Sequence, residues 1–347
     1  MKVIATEEHF HTPGYLKALR ARKQWPNRVP YEENGKKLEK EFFLPGEFRI
    51  MDPSNPGRAS DLGEGRISDM DEAGVSMQVL SLSFPSLELF DPDEATSVAT
   101  VVNDEIVEVI KKYPTRFTSL ATIAPQSPQF AVKELERSVK KLGLKGAMVT
   151  GHIMGEYLDA GKFWPILEAA SSLDVPIYIH PKFPPQDMIK PYLGYPGLSS
   201  AILGFAADAS LHAMRLILSG VFDKYPNLKI VLGHLGEALP FWLWRMDSRI
   251  LEESRQNPIA AKYYKNLKKM PSQYFREHFY VTTSGMFWHP ALQFVIQVLG
   301  ADRIMFATDY PYESGKEAVE FLLNAPINKS DIEKIAHGNA EKLFKLK

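Results

Sequence analysis

The sequence predicts an α/β fold of the (β/α)8 barrel type, and three observations carry the prediction. Short β-branched runs recur along the whole chain, stretches of helical periodicity separate them, and no Gly-x-Gly-x-x-Gly follows an early run. Strands alternating with helices imply βαβ units and a parallel sheet. Eight such runs in 347 residues suit a barrel better than a doubly wound sheet. The missing glycine fingerprint also weakens a dinucleotide-binding alternative.

The runs fall at residues 3–6, 77–82, 117–123, 146–149, 177–179, 229–232, 279–283 and 304–306. Between them Phe130, Leu135, Val139 and Leu142 keep helical spacing, as do Leu211, Met214, Leu218 and Val221. Residues 17–60 break the rhythm. There Arg20, Arg22, Lys23, Glu32, Glu33, Lys36 and Lys37 mix with Pro26, Pro30, Pro45 and Pro53. This stretch reads as an insertion after the first strand, either a cap over the barrel mouth or a surface loop. Residues 181–199, rich in Pro and Gly, extend the wall after the fifth strand. No repeat, low-complexity tract or linker divides the chain, so residues 1–347 read as one domain.

Composition narrows the function. Forty-one basic residues against 42 acidic ones give a net charge of −1, which leaves no global case for nucleic acid or an acidic membrane as partner. With 45% hydrophobic and 24% charged residues the chain is globular in composition. The absence of cysteine excludes disulfides, a thiol nucleophile and Cys-ligated zinc or iron–sulfur sites. Glu7 and Glu8 interrupt any apolar leader near the N-terminus, and no run approaches the ~18 apolar residues of a membrane span. The expectation is a soluble, cytoplasmic protein.

Three histidines and two acids fall where strands hand over to loops. The first strand runs into Glu7-Glu8-His9-Phe10, and alternation puts Glu7 and His9 on one face and Glu8 and Phe10 on the other. His180 ends the fifth strand, Gly233-His234-Leu235-Gly236-Glu237 follows the sixth, and Thr308-Asp309-Tyr310-Pro311-Tyr312 follows the eighth. A histidine at a strand end is, taken singly, most often a hydrogen-bonded structural residue, and Asp309 could cap a turn. In a barrel, however, all strand C-termini converge on one face, where barrel enzymes place their sites. Glu7, His180, His234 and Asp309 would then meet. Two carboxylates with one or two imidazoles form an O/N donor set suited to one Zn²⁺ or Mn²⁺, with positions left for water or substrate. No organic cofactor is called for.

These segments, with Val175-Pro176-Ile177-Tyr178-Ile179-His180-Pro181 and the closing Gly338-Asn339-Ala340-Glu341-Lys342-Leu343-Phe344, resemble one branch of the amidohydrolase superfamily. That branch holds metal-dependent aromatic decarboxylases acting on γ-resorcylate, 2,3-dihydroxybenzoate and 5-carboxyvanillate. The resemblance implies an amidohydrolase-type barrel in which Glu7, His180 and Asp309 are metal ligands. Glu-Glu-His-Phe matches the γ-resorcylate enzymes, so His9 is either a fourth ligand or a group behind the ligands. Other segments, such as Ala124-Pro125-Gln126 and Gly155-Glu156-Tyr157-Leu158-Asp159, are closer to the 5-carboxyvanillate enzymes. The fourth strand ends in Met148-Val149-Thr150, without the lysine of binuclear relatives, which implies a single metal.

By the same resemblance the protein is a carboxy-lyase that removes CO₂ from a hydroxylated benzoate without oxidation. Asp309 would protonate the ring carbon, and His234 and Glu237 would form a hydrogen-bonded pair that holds substrate oxygen or relays a proton. Arg245 and Tyr312 would contact the substrate, and Arg58 is a looser candidate for a second carboxylate-binding arginine. The partner would be a small aromatic acid, and the chain a homo-oligomer, dimer or tetramer. The alternative is a metal-dependent hydrolase of a lactone or amide on the same fold. His11 and His152 read either as pocket or loop residues, and His212, His278, His289 and His337 as structural. Phe241-Trp242-Leu243-Trp244 reads as helix core.

Overall fold

The computed structural model describes residues 1–44, 47–54 and 57–346. Eight parallel strands appear where the β-branched runs lie. Ile4–Phe10, Met77–Leu82 and Phe117–Ser119 form one sheet, in that order. Ala121–Thr122, Ala147–Thr150, Ile177–His180, Ile230–Leu232, Phe279–Thr282 and Ile304–Met305 form the other. The third strand is thus in two pieces, interrupted at Leu120. Backbone bonds cross both seams between the sheets: Lys145 N, entering the fourth strand, donates to Ser119 O at 2.9 Å, and Thr6 N donates to Phe306 O at 3.1 Å. Ile4, Val79, Leu120, Met148, Tyr178, Val231, Tyr280 and Met305, one from each strand, pack together in a buried cluster. Their partners on the alternate faces join the helices in the larger core.

The connecting helices start where the sequence permits. Proline, whose missing N–H costs nothing in a first turn, opens Pro13–Ala21, Pro92–Lys112, Pro128–Lys140 and Pro271–His278. Pro92–Lys112 also carries Asp93 and Glu94 in its first turn and Lys111 and Lys112 in its last, matching the helix dipole. No helix among the described residues is long and apolar enough to cross a membrane.

Within 17–60 the structure shows more than a loop. After the helix Pro13–Ala21, strands Asn27–Glu33, Lys36–Leu44 and Glu47–Met51 form an antiparallel sheet. Pro45, Gly46, Asn55 and Pro56 lie outside the described residues. Charges hid these strands from a hydrophobic-pattern reading. Arg28 faces Glu41, Glu32 faces Lys37, Glu33 faces Lys36 and Glu41 faces Arg49 across the ladders, and such cross-strand pairs stabilise a sheet without apolar alternation. Asn34-Gly35, with φ of +52° and +73°, makes the two-residue hairpin turn between the first two strands.

Candidate active site

Glu7, His9, His180 and Asp309 each offer a ligand atom, and those atoms lie within 4.8 Å of one another. Alternation in the first strand delivers Glu7 and His9 to this point, while Glu8 turns outward. There Glu8 takes Thr308 N at 2.8 Å and Gln78 Nε2 at 3.0 Å, and the fully buried Arg66 bonds Gln78 Oε1 and His9 O. This outer network locks the first strand to the segment that carries Asp309.

The donor atoms are aimed inward. His180 Nδ1 lies 2.8 Å from the Pro181 carbonyl, which can only accept. Nδ1 therefore carries the proton and Nε2 presents its lone pair to the cluster, 3.5 Å from Glu7 Oε1. His9 Nε2 stands 3.0 Å from Asp309 Oδ1, with Ser81 Oγ 3.4 Å behind its other nitrogen. Glu7 Oε2 accepts from the hydroxyls of Tyr178 and Ser284 and, at 3.1 Å, from Thr282. Glu7 Oε1 is buried without any partner. Burial pushes the Glu7 carboxyl above its usual pKa, and an unpaired buried carboxylate oxygen beside imidazole lone pairs is stabilised by a divalent cation. The donor set fits one such ion.

Asp309 sits between two imidazoles, its Oδ2 being 3.6 Å from His234 Nε2. Burial opposes its ionisation, yet His234 and His9 hold its pKa well below the usual carboxylate value. For His234 burial opposes the charge, but Glu237 and Glu7 outweigh it and raise the imidazole well above its ordinary pKa. His234 Nδ1 is 2.7 Å from Glu237 Oε1. The pair is built on an unusual turn: His234, Leu235, Gly236, Glu237 and Ala238 hold φ at +50°, +54°, +84°, +54° and +64°. Left-handed backbone costs an L-residue about 1–2 kcal/mol, so the four non-glycine residues store several kcal/mol that neighbouring elements must offset.

The antiparallel sheet reaches Tyr312 and the segment after the second strand through single side chains. Tyr312 OH lies 2.6 Å from Ser83 Oγ, and its ring stands 5.7 Å from that of His9. Arg49, from Glu47–Met51, reaches Tyr312 OH at 3.3 Å and Glu41 at 2.6 Å, and its Nη2 is buried without a partner. Phe43 of the same sheet packs on Phe84 and Phe183. His11 is buried nearby with both ring nitrogens unpartnered, and burial together with Arg49 and Arg28 holds it neutral.

The structure thus brings together Glu7, His9, His180, His234, Glu237, Asp309 and Tyr312. It leaves Arg245 exposed on the helix Leu239–Gln256, without a bond to the cluster. Arg58 pairs with Asp69, its Nε at 3.6 Å, and lines a cavity that Tyr312 also borders, while Arg49 is the arginine that bonds Tyr312. Phe241, Trp242 and Trp244 are not helix core: they are 71%, 46% and 79% exposed, and only Leu243 is buried. One helix face packs, and the helical period turns the other three away from it. His152 Nδ1 accepts from Gly155 N, burial drops its pKa to about 2, and its carbonyl takes Lys182 Nζ at 2.6 Å. His212, His278, His289 and His337 make local bonds to Leu158 N, Leu228 O, Phe321 O and Glu341. Sequence reasoning missed Tyr178, Thr282, Ser284 and Arg49. Tyr178 lies two residues before His180, so strand alternation from that candidate ligand could have found it, whereas the seventh strand carries no candidate ligand from which to reach Thr282 or Ser284. Nothing local marks Arg49.

Comparison with known proteins agrees with this geometry. The amidohydrolase family model matches residues 9–346. A γ-resorcylate decarboxylase of Polaromonas sp. is 40% identical over 301 residues, 85% of this chain and 90% of that protein. The crystal structure of 5-carboxyvanillate decarboxylase from Sphingomonas paucimobilis superposes with a TM-score of 0.87 at 37% identity, covering 100% of this chain and 99% of that one. A dihydroxybenzoic acid decarboxylase from Polaromonas sp. JS666, solved with manganese and 2-nitroresorcinol, gives 0.83 at 36% identity, covering 99% and 97%. These relatives favour decarboxylation over hydrolysis. The chain belongs to the amidohydrolase family, on the branch of its metal-dependent hydroxybenzoate decarboxylases, and is a carboxy-lyase.

Proposed function

We propose that this enzyme removes CO₂ from a hydroxylated benzoate, with Glu7, His9, His180 and Asp309 holding one Mn²⁺ or Zn²⁺ at the mouth of a closed (β/α)8 barrel. The observation that carries the reading is Asp309, poised between the ligand cluster and the His234–Glu237 pair. An ion held by these four residues would supply charge neutralisation and Lewis acidity to the bound substrate. Everything else falls to side chains. Decarboxylation puts a proton on the ring carbon that bears the carboxylate. Asp309 is ionised at rest and cannot donate, but His234 is charged and its Nε2 faces Asp309 Oδ2. The proton passes from His234 Nε2 to Asp309 Oδ2 and from there to the ring, while Glu237 stabilises the imidazolium and fixes its orientation. Arg49 and Tyr312 would meet a polar substituent on the ring edge away from the reacting carboxylate. That role falls to them rather than to Arg245, which we assign no contact within its own subunit.

The experiment measures CO₂ released from 2,6-dihydroxybenzoate, 2,3-dihydroxybenzoate and 5-carboxyvanillate by the Mn²⁺-loaded enzyme. Release from at least one is expected, and Asp309→Asn should abolish it while leaving the thermal melt of the metal-free enzyme nearly unchanged. No release from these or a wider panel of hydroxybenzoates would sink the reading. The exposed Phe241, Trp242 and Trp244 support a homo-oligomer, dimer or tetramer; light scattering should give a multiple of the 39.2 kDa chain mass.

A further inference from the structure

Nothing intrinsic to an L-residue chain favours five left-handed residues in a row, so contacts from other elements must hold the turn at His234–Ala238. Two serine hydroxyls grip its ends. Ser210, on the helix Gly204–Ser219, donates to the Glu237 carbonyl at 2.6 Å. Ser284, just beyond the seventh strand, accepts the His234 N–H at 3.1 Å. Ser284 also donates to Glu7 Oε2 and lies 2.9 Å from Thr282 Oγ1. A hydroxyl has one proton and two lone pairs, so donating to the carboxylate and accepting from the turn are compatible. The surrounding backbone leaves room for nothing larger. A Cβ on Gly233 would stand 2.8 Å from Glu7 Oε2 and 3.2 Å from Ser284 Oγ. One on Gly285 would stand 3.2 Å from His234 Cδ2.

We infer that Ser284 is a positioning residue that ties the metal-binding carboxylate of Glu7 to the His234 turn, so that loading the site with a divalent ion also tightens the turn that aims His234 at Asp309. The inference rests on the roles proposed above for Glu7 and His234. The neighbours separate the two halves of the link. Thr282 and Tyr178 grip Glu7 Oε2 but make no bond to the turn, whereas Ser210 grips the turn but makes no bond to Glu7. Supporting groups of this kind set ligand orientation and hence both affinity and activity.

The test uses the whole enzyme with Mn²⁺ as probe and needs no substrate. Backbone hydrogen exchange of residues 233–238 is followed by mass spectrometry with and without saturating Mn²⁺, and Mn²⁺ affinity by calorimetry. In the unmodified enzyme, Mn²⁺ should slow exchange of this segment at least tenfold. Ser284→Ala should weaken Mn²⁺ binding by about 10–100-fold and, at saturating Mn²⁺, lose the metal-dependent protection. Thr282→Ala should lose affinity and keep the protection; Ser210→Ala should keep the affinity and loosen the turn with or without metal. If Ser284→Ala does not fold, Ser284→Cys, a weaker donor of similar size, carries the same comparison. Equal exchange with and without Mn²⁺ in the unmodified enzyme, or metal-dependent protection surviving in the Ser284 variant, overturns the inference. Neither readout involves product, so an enzyme that released no CO₂ would count against the proposed function and leave this result standing.

Discussion

Glu237 illustrates how a single buried carboxylate governs a neighbour. With Nδ1 of His234 held at 2.7 Å, the imidazole is charged and its Nε2 is directed at Asp309. Glu237→Gln keeps the shape and removes the charge. It should lower kcat on the order of 10²–10⁴-fold with little change in KM, read by steady-state decarboxylation; a KM effect alone would assign Glu237 to binding instead. Asp208 makes a second residue-level case. Buried beside Lys182, with Tyr157 donating to it, its carboxyl is pushed by burial from 3.8 to about 7. Between those values the folded chain binds a proton that the unfolded chain has released, so stability falls as pH rises from about 4 to 7 and levels off above that. Asp208→Asn should remove this slope from the melting temperature measured across that range. An unchanged slope would mean that Asp208 stays ionised throughout.

At the scale of elements, the left-handed turn and the antiparallel sheet are the two features added to the parallel strand ends. Gly236 is the one turn residue that pays no steric penalty, and a Cβ there would stand 3.0 Å from Val281 Cγ1 and 3.1 Å from Pro240 Cδ. Gly236→Ala should cost about 1–3 kcal/mol, seen as a melting temperature lower by a few degrees, and should lower kcat as His234 is displaced. Full activity in that variant would show that the turn tolerates a side chain. The sheet works differently. Its ladders are cemented by opposed charges, so its sequence reads as a polar surface stretch although Arg49 bonds Tyr312 and Phe43 packs on Phe183. The Asn34-Gly35 turn was its legible signal.

For the molecule as a whole, the candidate ligands come from the first and fifth strands and from the segment after the eighth, so a bound metal would be coupled to the fold. An ion that binds only the folded chain stabilises it by RT ln(1 + [L]/Kd), about 2.7 kcal/mol at a hundredfold excess over Kd. Chelation should therefore lower the melting temperature and abolish turnover together, and Mn²⁺ should restore both. Turnover that survives complete metal removal would refute a metal-dependent reaction. Strands such as Ile230–Leu232 and Ile304–Met305 were legible because they are short, wholly apolar runs, as strands buried on both faces require. The ends were less so: the first strand extends to Phe10 through two glutamates and a histidine because its polar residues are satisfied by the site and by the Arg66–Gln78–Glu8 network.

The sequence by itself determined the strand count, the residues at the strand ends and, through alternation, that Glu7 and His9 share a face, because these depend only on local periodicity. It also carried the family likeness, since the motifs are contiguous. Only the tertiary structure decided that Arg49 hydrogen-bonds Tyr312, that three hydroxyls grip one oxygen of Glu7, and that aromatic residues of Leu239–Gln256 face outward. Those facts depend on which surfaces meet across 100 residues or more of chain, and a local pattern holds no record of that.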